Sequence, residues 1–283
     1  MAVQLNIRNL NAEDIQTAID WAADEGWNPG HEDGLAFLEA DRSGFFAGEI
    51  DGALVTVISG VRYGDGFGFI GLFITRPDHR AKGHGQLIWD HAMTYLDGRT
   101  IGLDAVKEQT PRYAKHGFKP VYRNVRYAGI SMCDTPMDSR LTPLGQGLFP
   151  SVRDYDSKFF PDERTDFLKL WTAPTAKTRR GFAFVENGEI QGYGVLRQCL
   201  EGFKIGPLFA DTPEIADTLF RALAGQVKGQ TIILDIPEPN AAALLLAEQY
   251  ELSPEFETFR MYKGPAPDLP LDQKFGITTF ELG

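Results

Sequence analysis

Over its 283 residues the chain passes twice through one order of turns and apolar segments. Asp51-Gly52 and Asn187-Gly188 each join two apolar runs, and both turns pair residues that tolerate positive φ, the mark of a two-residue β-hairpin. Gly71-Leu72-Phe73 returns as Gly206-Pro207-Leu208-Phe209, Leu103-Asp104 as Leu234-Asp235, and Arg126-Tyr127 as Arg260-Met261-Tyr262. A separation of roughly 130 residues recurs at each of these pairs, which points to two copies of one structural unit. The competing account is a pair of unrelated α+β domains that share generic hairpin turns. Pro and Gly cluster without periodicity between Met132 and Pro150. The boundaries therefore fall as one domain over 1–132, a linker over 133–150 and a second domain over 151–283.

Each unit reads as α+β, a mostly antiparallel mixed sheet flanked by helices. In the first, Leu5 to Arg8 predicts a strand, and Ala12 to Ala23 and Asp33 to Ala40 predict helices around a loop containing Trp27-Asn28-Pro29-Gly30. Strands follow at Gly44 to Ile50, Ala53 to Tyr63 and Phe67 to Thr75, the last rich in β-branched and aromatic residues. A helix with Leu87, Ile88, Ala92, Tyr95 and Leu96 on its apolar face comes next. Then come a strand at Thr100 to Val106, a short helix at Gln109 to Lys115 closed by Gly117, and a long strand at Lys119 to Ile130.

Composition narrows the partners. Hydrophobic residues are 43% of the chain, enough for two cores, and no biased tract argues for extended disorder. The start carries no basic-then-apolar leader and no apolar run reaches membrane-spanning length, so a cytoplasmic protein without membrane contact is expected. A net charge of −11 disfavours nucleic acid and favours a cationic partner such as an amine. Cys133 and Cys199 are too few for a disulfide framework, and the five histidines lack ligand spacing, so no metal is expected.

The stretch with most chemistry is Arg80-Ala81-Lys82-Gly83-His84-Gly85-Gln86, placed directly between a strand and a helix. A helix start leaves backbone N–H groups unpaired and partly positive, and glycines there let an anion such as a pyrophosphate come close. Arg80 and Lys82 add charge that reaches outer phosphate oxygens. A lone G-x-G is more often turn punctuation. Here it is neither a P-loop, which needs G-x-x-x-x-G-K-[ST], nor a dinucleotide fingerprint, which needs a third glycine after a first strand.

Phe73-Ile74-Thr75-Arg76-Pro77-Asp78-His79-Arg80-Ala81-Lys82-Gly83-His84-Gly85 resembles the cofactor motif of the GNAT acetyltransferase superfamily: a strand, a proline, then R-x-x-G-x-G. Arg112-Tyr113-Ala114-Lys115-His116-Gly117-Phe118 resembles that superfamily's L-Y-E-K-x-G-F segment, and further matches along the chain resemble a bacterial subgroup with a second, GNAT-like domain. The resemblance implies acetyl-CoA as co-substrate. The amides of Gly83, His84, Gly85 and Gln86 would hold its pyrophosphate, and the backbone of Phe73, Ile74 and Thr75 would pair with its pantetheine as an added strand does. It also implies that Tyr113 is the general acid for the leaving thiolate; the alternative is a tyrosine that merely packs its helix.

The general base stays open. Many members of the superfamily carry a glutamate on the strand before the loop, where this chain has Phe67-Gly68-Phe69-Ile70-Gly71-Leu72. A water chain, Asp104 or Asp33 is left, and Asp33 is equally expected as a helix N-cap. Trp27, Asn28, Gln109 and Arg126 are candidates to line the acceptor pocket, against plainer roles as a core cap, a turn and exposed polar side chains, and Arg260 is a further cleft candidate. At the loop position the second copy reads Ala210-Asp211-Thr212-Pro213-Glu214, with glycines and cations replaced by acids and by a Thr-Pro helix start. No coenzyme A site is expected there. That domain is expected to close one side of the acceptor cleft, with homodimerisation as the alternative role. The leading expectation is N-acetylation of a small-molecule primary amine. Competing readings are a peptide or protein amine acceptor, a noncatalytic acyl-CoA sensor, and a purely structural glycine turn.

Overall fold

The computed structural model describes residues 5–283. The first half runs β1 (Asn6–Asn9), α1 (Ala12–Asp24), α2 (Asp33–Ala40), β2 (Phe45–Ile50), β3 (Ala53–Tyr63), β4 (Phe67–Thr75), α3 (His84–Tyr95), β5 (Thr100–Ala105), α4 (Thr110–Lys115) and β6 (Lys119–Ile130). The second runs β7 (Leu141–Pro143), α5 (Phe149–Asp156), α6 (Thr165–Trp171), β8 (Arg179–Glu186), β9 (Glu189–Gln198), β10 (Phe203–Ala210), α7 (Pro213–Ala224), β11 (Thr231–Pro237), α8 (Ala241–Gln249), β12 (Ser253–Lys263) and β13 (Lys274–Gly276). Residues read as a featureless linker hold β7, which pairs with β8. No helix among the described residues is long and apolar enough to cross a membrane.

Local chemistry explains the element ends. Asn11 caps α1 in a reciprocal box with Asp14, each side chain bonding the other's backbone N–H. Both hairpin turns are left-handed at both positions, with φ of 50° and 78° at Asp51-Gly52 and 53° and 83° at Asn187-Gly188. Helix α3 buries Ile88, Trp89 and Ala92, and Leu96 follows at its end, against Phe46, Ile58, Ile101 and Phe118. Leu87, read as part of that face, is 52% exposed, and Trp89 takes the buried place.

All strands share one mixed sheet in the order β1-β2-β3-β4-β5-β12-β6-β11-β10-β9-β8-β7. Among the described residues, only β4–β5 and β10–β11 are parallel pairs. The long strands β6 and β12 have traded places: β12 of the second half pairs β5, and β6 of the first half pairs β11. Each half is thus completed by a strand of the other.

The repeated charges cross in the same way. Arg260 of β12 donates to both oxygens of Asp104 on β5, at 2.8 and 2.7 Å, and Arg126 of β6 donates to both oxygens of Asp235 on β11, at 2.7 and 3.0 Å. Burial alone would push the Arg260 guanidinium down, but Asp104 beside it holds it well above its ordinary value. A third buried pair, Arg197 with Asp33, and stacking of Phe37 on Trp171 tie α2 to the second half.

In both halves the parallel pair parts after a few residues. Strand β4 pairs β5 only from Phe67 to Ile70, after which a bulge places Leu72 at φ 44° and one extra residue opposite β3. Strand β10 pairs β11 only from Phe203 to Ile205, and there the gap is filled by β13, which pairs β10 at Leu208 and Phe209. The first fork is open and the second is plugged by the chain itself.

Candidate active site

The open fork forms a cleft of about 1010 Å³. Its floor is the β4 edge from Ile70 to Thr75, which has no β5 partner beyond Ile70. One end is the 80–86 loop. Gly83 precedes α3 at φ 89° with no side-chain cap, and the amides of Gly83, His84 and Gly85 have no hydrogen-bond partner among the described residues. A Cβ at Gly83 would meet nothing within 4 Å, and one at Gly85 would lie 3.4 Å from Thr75 Oγ1, so the glycines leave room above those amides. The Gln86 amide is turned inward, donating to the Gly83 carbonyl at 3.0 Å. Arg80 is tethered: its Nε donates to the Thr75 carbonyl at 2.8 Å and its guanidinium pairs with Glu25. Lys82 makes no ion pair among the described residues and is exposed.

Tyr113 opens on the same cleft. Its ring packs 5.4 Å from Trp89 and 6.3 Å from Phe118, and its hydroxyl has no partner among the described residues. Burial raises its pKa, with Arg112 only partly opposing, so the phenol stays protonated at neutral pH. Arg112 itself stands over the Phe73 ring at 5.2 Å, a cleft-side cation that sequence reading did not single out.

The expected carboxylates are occupied. Asp104 has a fully buried side chain whose oxygens accept two bonds from Arg260 and one from Asn124 at 2.9 Å, so its charge is committed to the bidentate Arg260 pair within the sheet. Asp33 neither lines the cleft nor caps a helix; it bonds the Gly30 amide at 2.8 Å and pairs with Arg197. Arg126, read as a cleft residue, is 5% exposed and committed to Asp235. Asn28 is clasped to the Glu201 backbone by bonds of 2.8 and 2.9 Å. Trp27 and Gln109 do line the cleft, and the Trp27 carbonyl is held by Arg126 and Lys204. Arg260 braces Asp104 from behind. The rest of the wall was missed: Pro254 to Thr258 from β12, with Phe280 and Glu281.

In the second half Thr212 accepts from the Ile215 amide as an N-cap and Pro213 follows, as read; Asp211 accepts from the Tyr155 hydroxyl at 2.7 Å. No group of histidine, cysteine or acidic residues with metal-binding geometry occurs among the described residues.

The mixed sheet is built twice, and its first copy is forked over a glycine-led helix start, the architecture of an acyltransferase. The chain belongs to the GNAT family: a GNAT family model matches residues 12–118 and a GNAT domain model matches 152–276. It is similar to holothin acyltransferase of Pseudoalteromonas sp. (strain SANK 73390), 28% identical over 96% of this chain and 92% of that protein. A solved Pyrococcus horikoshii structure superposes with a TM-score of 0.80, at 24% identity over 99% of this chain and 96% of the other. A tandem GNAT protein from the clavulanic acid biosynthesis pathway superposes at 0.60, with 13% identity over 93% and 100% of the two chains.

Proposed function

We propose that the protein moves an acetyl group from acetyl-CoA directly to a primary amine of a small molecule. The observation that carries this reading is the continuity of one groove, from the unpaired β4 edge to the free amides at Gly83, His84 and Gly85. An extended amide-bearing arm suits the strand edge, and a pyrophosphate suits the helix start. Lys82 and Arg112 make no ion pair among the described residues and would meet outer phosphates, with Arg80 fixing the loop on Thr75. The neutral nitrogen attacks the thioester carbonyl, the C–N bond forms as the C–S bond breaks, and the thiolate takes the phenolic proton of Tyr113. A small acceptor is favoured over a protein because Pro254 to Thr258 and Phe280 wall the acceptor side.

Tyr113→Phe tests it. The variant keeps the ring among Trp89 and Phe118, so acetyl-CoA affinity should hold, while kcat should fall by roughly 100-fold, the ordinary worth of a positioned acid. An unchanged kcat would contradict the role of Tyr113. A sensor that binds without turnover predicts no acetyl transfer by either protein.

A further inference from the structure

Strand β4 has no carboxylate from Phe67 to Leu72, Asp104 is bound to Arg260 and Asp33 is buried outside the cleft, so the amine's proton needs another acceptor. The 277–283 segment supplies one. After plugging the second fork as β13, the chain passes Gly206, where a Cβ would stand 2.7 Å from the Thr278 carbonyl oxygen. It then crosses β4 at Gly71, where a Cβ would stand 2.0 Å from the Glu281 carbonyl oxygen. Any side chain at 71, a glutamate included, would collide with that backbone. Gly71 is also the first residue past the β4–β5 pairing, so Glu281 arrives where the fork opens.

The crossing is fixed on both sides: Leu282 N–H donates to Thr279 Oγ1 at 3.0 Å, and the Tyr63 hydroxyl donates to the Leu282 carbonyl at 3.1 Å. Glu281 lines the cleft, is only 4% exposed, and makes no hydrogen bond or ion pair among the described residues. Its carboxylate oxygens keep contact with the cleft and are free to accept a proton, whereas the buried Asp33, Asp156 and Asp235 are each bound to an arginine. The buried cations Arg126 and Arg197 lie within electrostatic reach of it while bonded to other acids. Phe256 and Phe280 meet edge to face at 5.9 Å beside it, and Trp27 lines the same cleft.

We propose that Glu281 is the general base of the transfer, and that it receives an ammonium whose apolar body rests against Phe256, Phe280 and Trp27. This rests on the acyl-transfer reading. The Glu281 carboxylate takes one proton from R–NH3+, which frees the nitrogen lone pair for attack. After the Tyr113 proton has gone to sulfur, the surplus proton on nitrogen returns through solvent to the Tyr113 oxygen, and Glu281 releases its own to solvent. One amide, one thiol and one proton result.

The test compares wild type, Glu281→Gln and Glu281→Asp for release of free thiol from acetyl-CoA with 2-phenylethylamine, tyramine and spermidine, and for acetyl-CoA binding by calorimetry. Glutamine fills the crossing without accepting a proton. It should bind acetyl-CoA as wild type does yet lose roughly 100-fold in kcat/KM at neutral pH, with the deficit shrinking as pH rises and bulk solvent deprotonates the amine. Aspartate should retain part of the rate, and the aryl amines should outpace spermidine. A glutamine variant within about threefold of wild type, or a deficit that does not change with pH, overturns the role of Glu281 and leaves acyl transfer standing. A wild type that binds no acetyl-CoA, or transfers to none of the amines, overturns the acyl-transfer reading and this role with it.

Discussion

Gly83→Asp should weaken acetyl-CoA binding by roughly 100-fold or more while leaving the fold intact, because like charge placed against an anion costs several kcal/mol. The two halves of that expectation have separate causes. Position 83 precedes α3 at φ 89° without a side-chain cap, and a Cβ there meets nothing within 4 Å. Aspartate is among the residues that best tolerate the left-handed region, so the backbone strain at φ 89° should cost only about 1 kcal/mol, partly offset by a negative charge beside the helix start. The helix should therefore survive the substitution at a small cost. Ligand binding should not, since the carboxylate occupies the space that the pyrophosphate needs. Calorimetry and thermal unfolding on the same sample separate the two: affinity should collapse while Tm falls by only a few degrees. A variant that binds as wild type would show that the loop is a turn and nothing more.

Arg260→Met should cost ~3–5 kcal/mol of stability, the usual effect of leaving one member of a buried ion pair alone. Arg260 and Asp104 are 5% and 0% exposed at their side chains, and the two bonds join β12 to β5 across the strand exchange. With the guanidinium gone, Asp104 keeps only the Asn124 bond. The double change Asp104→Leu/Arg260→Met removes the stranded charge and should recover much of the loss. Denaturant unfolding of the three proteins distinguishes this from a surface pair: a single variant within ~1 kcal/mol of wild type would mean that water reaches the site.

Much of this was legible in the sequence because it was local. The bounds of β3, β4 and β6 follow from their apolar runs, both hairpins from Asp-Gly and Asn-Gly, and the position of the 80–86 loop from its glycines placed between a strand and a helix. The strand exchange was not legible for a reason that duplication itself creates. Strands β6 and β12 are related copies with nearly the same pattern of burial, so each suits either slot beside β5 or β11, and only the assembled sheet reveals the choice. The crossed Arg–Asp pairs were visible as repeated residues, but their partners were not. Asp104 therefore looked free to act as a base and Arg126 free to line the acceptor pocket, when each is held by the other copy. Glu281 lay out of reach for a similar reason. Its place depends on a segment that crosses two forks, and the one trace left in the sequence is a pair of glycines, Gly71 and Gly206, at equivalent positions where that backbone passes.

The most direct test of the account is the stoichiometry of acetyl-CoA binding to the unaltered chain, measured by calorimetry. The first fork is open toward a helix start with free amides, whereas the second is filled by β13 and faces Asp211 and Glu214, so the prediction is a single site per chain. A second equivalent site would contradict the plugged fork, and no heat of binding at all would contradict the acetyl-CoA site itself.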